Sequence, residues 1–210
     1  MIKKTLLLLL ALAVTGCGTR DIPATVTRFH RELPPGQTFT VRPQGDQRGS
    51  VEFDSYAGTV VSQMVSAGYR LAPDPGKPAD LVVEFRWGVD NGRSEVVTTP
   101  LPGRDAYWQR YNCARVPYPF ACEVPPISDV QAFTVFTRWL ELDIIDARRP
   151  AAAPVKLFEG RAYSEGTSRQ LPDVIPALVA ALFTGFPGLN GETRHIAVSP
   201  TCCPRPALPK

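Results

Sequence analysis

The chain is short of the residues that usually carry chemistry. It contains two histidines, His30 and His195, among 210 residues. It has no Gly-x-Ser-x-Gly elbow to hold a nucleophile, no Gly-x-Gly-x-x-Gly phosphate loop and no calcium loop. A hydrolytic triad needs Ser, His and an acid brought together, and no spacing here announces one. Both histidines therefore read as surface or half-buried side chains. The adjacent Cys202 and Cys203 lack Cys-x-x-Cys spacing, so neither a metal site nor a cofactor is expected. Charge of one sign is also lacking, with 23 Lys+Arg against 20 Asp+Glu. Removal of a leader holding Lys3 and Lys4 would leave 21 against 20. That balance argues against a nucleic-acid binder, which shows a clear basic excess. The apolar run Thr5–Val14 is ten residues long, and a spanning helix needs roughly 20.

What is present at the N-terminus has the layout of a secretory leader. Lys3 and Lys4 precede the Leu/Ala run, and small residues follow it. Val14-Thr15-Gly16-Cys17 resembles the lipobox of bacterial lipoproteins. The resemblance implies a signal peptide over 1–16 and acyl chains on Cys17 that attach the protein to a membrane. More than one chain is needed for stable attachment, at about 0.8 kcal/mol per buried methylene. Gly18 rather than Asp follows Cys17. By the same resemblance this places the protein in the outer membrane, facing the periplasm.

With Cys17 acylated, four cysteines remain, Cys113, Cys122, Cys202 and Cys203. The periplasm is oxidising and permits disulfides. Cys113 and Cys122 have eight residues between them, a short loop that is easy to close, and they are the expected bridge.

The rest of the chain divides by period. Residues 17–37 read as a lipidated N-terminus and tether. Residues 38–198 read as one α+β domain, and 199–210 as a proline-rich tail. Thr38–Arg42 reads as a strand. Asp54–Ala67 reads as a helix capped by Asp54, with Tyr56, Val60 and Met64 in one stripe. Leu81–Asp90 alternates apolar and polar positions, and Asn91-Gly92 predicts a tight turn that returns Ser94–Thr99 as its partner strand. Ala132–Asp146 and Val155–Tyr163 predict a hairpin. A helix follows from Pro172-Asp173 to Phe186, then a short strand within Glu192–Val198. The expected fold is two-layer: a mostly antiparallel sheet with both amphipathic helices on one face. Glu84, Arg86, Glu141 and Asp143 are expected on the other face.

Residues 100–129 break the pattern. This insert is rich in proline and carries Tyr107, Trp108, Tyr111 and Phe120 beside Cys113 and Cys122. Long irregular loops are often functional, so these aromatics are the candidate contacts for a ligand or partner.

Several ordered motifs give a family resemblance. They are Ala67-Gly68-Tyr69, Pro78-Ala79-Asp80-Leu81-Val82-Val83, Leu142-Asp143-Ile144-Ile145-Asp146-Ala147 and Leu157-Phe158-Glu159-Gly160-Arg161-Ala162, followed by a helix that closes at Phe186-Pro187. With the lipobox, this set is similar to the bacterial lipoprotein family DUF 4136, a domain of unknown function, over roughly residues 25–198. The resemblance implies an α+β envelope lipoprotein and supplies no catalytic residues. Three functions compete on the sequence. The first is a non-enzymatic envelope module with a protein partner. The second is a binder of a small or lipid-like ligand through the aromatic insert. The third is a hydrolase built on His195 or on Glu141 and Asp143, which would lie about 7 Å apart along one strand face.

Overall fold

The structure, a computed structural model, describes residues 21–45, 47, 49–73, 78–100, 128–150 and 154–199. It comprises strands β1 (Ile22–His30), β2 (Thr38–Pro43), β3 (Arg70–Leu71), β4 (Leu81–Val89), β5 (Arg93–Pro100), β6 (Ser128–Asp146), β7 (Val155–Gly166) and β8 (Thr193–Val198), with helices α1 (Val51–Ser66) and α2 (Val174–Phe183). This is an α+β chain with a mixed, mostly antiparallel sheet. The contacts divide it into two compact units, one holding 1–89, 137–165 and 169–210, the other 90–136 and 166–168. Among the described residues, no helix is long and apolar enough to cross a membrane.

In the larger unit the strand order is β3-β2-β4-β6-β7-β1-β8. β2 runs parallel to β3 and to β4. β4 pairs antiparallel with the second half of β6, from Leu81↔Asp146 to Val89↔Arg138. β1 pairs antiparallel with both β7 and β8. Alternation sorts the side chains. Leu81, Val83, Phe85 and Trp87 of β4 and Leu140, Leu142 and Ile144 of β6 are buried, and they share one core with Met64 of α1 and Leu178 and Leu182 of α2.

α1 begins a turn earlier than the sequence suggests. Ser50, not Asp54, is the N-cap, and its hydroxyl accepts the Phe53 N–H at 3.3 Å. Glu52 and Asp54 then lie in the first turn, where carboxylates favour the positive end of the helix dipole. Gly68 at φ +93° ends the helix. Its N–H reaches Val65 O and the Tyr69 N–H reaches Met64 O, the paired closure that a left-handed glycine permits.

β1 corrects the reading of 17–37 as a tether, because Ile22–His30 is an interior strand of the sheet. The alternation was obscured by a charge on the buried face, where Ala24 and Val26 are followed by Arg28, only 3% exposed. Arg28 Nη2 donates to Ala181 O and Thr184 O, each at 2.9 Å. These carbonyls lie at the C-terminus of α2, where helices leave acceptors unpaired and a cation is favourable. Burial, then Arg194, lowers the Arg28 pKa from the usual guanidinium value, while Glu192 opposes the shift.

Asn91-Gly92 is a second correction. β5 does not return along β4. It pairs antiparallel with the first half of β6, from Arg93↔Val135 to Pro100↔Ser128, in the smaller unit. Gly92 does have positive φ, +78°, and its N–H donates to Asp90 Oδ1 at 2.9 Å. The local turn chemistry is present without the hairpin.

Two motif residues have clear packing roles. A Cβ on Gly160 would stand 2.6 Å from Phe158 Cε1 and 2.7 Å from Leu182 Cδ1, so α2 packs directly over bare backbone there. Asp80 ties the start of β4 to β2. Its Oδ2 accepts the Thr38 N–H at 2.9 Å and the Thr38 hydroxyl at 2.7 Å, and its own N–H donates to Thr38 Oγ1 at 3.1 Å.

Gly160→Ala is expected to lower stability by about 1–3 kcal/mol through overpacking, read as a lower urea midpoint at unchanged m. Acid should also destabilise the domain. Hydrogen bonds from Thr38 hold the Asp80 pKa below 3.8, and bonds from Arg148 do the same for Asp146. Folded values below the unfolded ones mean that protonation favours unfolding. The contribution is present above about pH 4 and is lost as pH falls below it. Urea melts between pH 7 and pH 3 should show a flatter acid limb for Asp80→Asn.

Candidate functional site

Of the residues singled out by sequence, Cys17, Tyr107, Trp108, Tyr111, Cys113, Phe120, Cys122, Cys202 and Cys203 lie outside the described residues. His30, His195, Glu141, Asp143 and Asp146 are described; Glu141 and Asp143 share a strand face of β6, and the two histidines lie on other strands. The candidate site that can be built from described residues is the second face of the larger unit's sheet, opposite the side chains of the core.

On β4 and β6 this face is made of cross-strand rows: Val82↔Ile145, Glu84↔Asp143, Arg86↔Glu141 and Gly88↔Trp139. Glu141 is held by its row partner, and Asp143 by a cation from β7. Arg86 Nε and Nη2 both donate to Glu141 Oε2, at 2.8 and 2.5 Å. Asp143 Oδ2 lies 2.9 Å from Lys156 Nζ, which also holds Glu159 at 2.8 Å. These two acids raise the Lys156 pKa, Glu159 first. Arg86 thus serves Glu141, and Lys156 of β7 serves Asp143. Asp146 sits outside this row and is bound by Arg148 at 2.8 Å. Trp139 lies across Gly88, where a Cβ would meet its ring at 2.6 Å, and the Arg86 guanidinium stands 5.8 Å from the Trp139 ring centroid.

The β7–β1–β8 side of the face has a different character. One row is Tyr163–Thr25–His195 and the next is Arg161–Thr27–Thr193. Thr25 Oγ1 and His195 Nδ1 are 2.9 Å apart, and the Thr27 and Thr193 hydroxyls 2.8 Å. Phe29 and Tyr163 remain 52% and 41% exposed. An open cleft of about 520 Å³ lies at one end of these strands, lined by Pro23, Thr25, Tyr163, Glu165 and His195 among others. Glu141 and Asp143 are not among its lining residues. His30 is held elsewhere, with its Nδ1 3.1 Å from Arg31 O and its Nε2 3.2 Å from Gly188 O. Among the described residues, no three His, Cys, Asp or Glu side chains converge as a metal site.

Sequence reasoning placed Glu84, Arg86, Glu141 and Asp143 on this face. It missed the Thr25–His195 pair, whose members are 170 residues apart. The only local signal was the alternation of Ile22–His30, which Arg28 masks. Glu141→Gln should cost less than about 1 kcal/mol, since the pair is largely exposed and such bridges contribute little. Urea unfolding against the parent protein measures it.

A family model described as "Domain of unknown function (DUF4136)" matches residues 25–188. No curated protein matches the chain. Several solved structures are similar, among them the following three. A PDZ domain protein from Parabacteroides distasonis shares 11% identity at TM-score 0.45, covering 86% of this chain and 40% of that one. The chain thus spans less than half the length of that protein. The PelC dodecamer from Paraburkholderia phytofirmans shares 15% identity at TM-score 0.36, covering 77% of this chain and 96% of that one. A DUF4136 family protein from Bacteroides thetaiotaomicron shares 10% identity at TM-score 0.37, covering 80% and 97%. With its family model matched across most of its length, the chain belongs to the DUF4136 family of domains of unknown function.

Proposed function

We propose that the protein is a lipoprotein, held on the outer membrane by acyl chains on Cys17, whose folded domain works without catalysis as a binding module for another envelope protein. The observation that carries this reading is the order charge, short apolar run, Val14-Thr15-Gly16-Cys17. On this reading the domain is two-layer, with α1 and α2 on one face of the sheet and the other face, uncovered among the described residues, meeting the partner. That free face presents Trp139, Tyr163, Phe29 and Arg86, residue types that dominate the energetics of protein interfaces. The near balance of charge supports a partner other than nucleic acid. The carboxylates supply no acid/base pair on this reading. Glu141 and Asp143 are each engaged by a cation, whereas a glycosidase needs one of two neighbouring carboxyls to keep its proton.

Cells expressing the full precursor and fed radiolabelled palmitate should yield a labelled protein in the membrane fraction. Cys17→Ser should lose the label and leave the membrane. Label retained by Cys17→Ser, or an unlabelled parent protein, would overturn the anchor.

A further inference from the structure

The short distance between the proposed lipid and the first strand restricts how the domain can stand on the membrane. Only five peptide steps separate Cys17 from Ile22, the first residue of β1. A fully extended chain covers at most about 3.6 Å per residue, so Ile22 stands within roughly 18 Å of the acylated residue. β1 then runs nine residues across the sheet, about 30 Å from end to end. The two ends of β1 are therefore not equivalent with respect to the lipid.

The antiparallel registers say what shares the near end. β8 finishes there, with Ile22 opposite Val198 and Pro23 opposite Ala197. β7 also finishes there, with Thr25 opposite Tyr163. The cleft of about 520 Å³ lies at this end, and Pro23, Tyr163, His195, Ile196 and Ala197 line it. An exposed tyrosine with an apolar body and a polar tip suits the headgroup layer of a bilayer. The far end of β1 holds Phe29 and His30. Phe29 lies on the same face as Thr25 and Tyr163, four residues further along β1 than Thr25, or about 13 Å away.

We propose that this end of the sheet, formed by the start of β1 and the ends of β7 and β8, rests on the lipid surface, with Tyr163 in the headgroup layer. The inference depends on lipidation at Cys17. An end-on stance takes Tyr163 into the lipid but leaves the rest of the sheet face, with Trp139, Arg86 and Phe29, available to a protein partner.

Tyr163 and Phe29 form an internal control, being similarly exposed aromatics on one face at opposite ends of one strand. The full lipidated protein is reconstituted in phosphatidylethanolamine/phosphatidylglycerol vesicles and footprinted with hydroxyl radicals, beside the unlipidated Cys17→Ser protein in solution. Oxidation of Tyr163 should fall about fivefold or more on the vesicles, while that of Phe29 stays within twofold. Equal protection of both residues would mean that the whole face lies on the lipid, and would overturn the end-on stance. Protection of neither, or of Phe29 alone, would overturn it too. Mass analysis of the reconstituted protein separates the two levels: absence of acyl chains on Cys17 defeats the anchor itself, whereas acylation without selective Tyr163 protection defeats only the orientation.

Discussion

The register of β4 against β6 is the constraint on which the rest of the larger unit depends. Leu81 opposite Asp146 and Val89 opposite Arg138 put Val83, Phe85 and Trp87 beside Ile144, Leu142 and Leu140 on a single face. A slip of one residue would move that apolar set to the other face and carry Glu84, Arg86, Glu141 and Asp143 into the core. Burying such charges without their partners is far costlier than any ion pair gained. The same register therefore sets both the core and the chemistry of the second face. It brings Arg86 against Glu141 and lays Trp139 on Gly88.

α2 shows how the core tolerates a charge. This helix is apolar over nearly its whole surface, with eight of its ten residues buried. Its C-terminal carbonyls face the sheet, where water cannot serve them. Arg28, rising from the buried face of β1, takes two of them. On β7, Gly160 gives way to Leu182. β1 and β7 thus accommodate α2 by opposite means: one supplies a long polar side chain, the other supplies none.

The second face divides along the same lines. On β4 and β6, Arg86 pairs with Glu141 along its row, while Asp143 takes Lys156 from β7. On β7, β1 and β8, Arg161 and Glu159 stand in rows with Thr27 and Phe29, and hydrogen bonds join Thr25 to His195 and Thr27 to Thr193 across strands.

Much of this was legible in residues alone. The alternation of Leu81–Val89, the stripe of Tyr56, Val60 and Met64 and the apolar helix before Phe186 each identified an element, because period and burial are local properties. The ordered motifs identified the family. The start of α1 was misplaced by one turn, since Ser50 and Asp54 are both good caps and only the fold chooses between them. β1 was hidden because its buried Arg28 looks like a solvent residue until α2 is seen above it. Asn91-Gly92 was read as a hairpin because turn chemistry is local while strand pairing is not. By itself, then, the sequence determined most of the helices and strands, β1 excepted, and which of their faces are apolar. Only the tertiary structure decided which strands are neighbours, because cross-strand partners such as Thr25 and His195 lie 170 residues apart and their contact is set by the packing of the whole sheet.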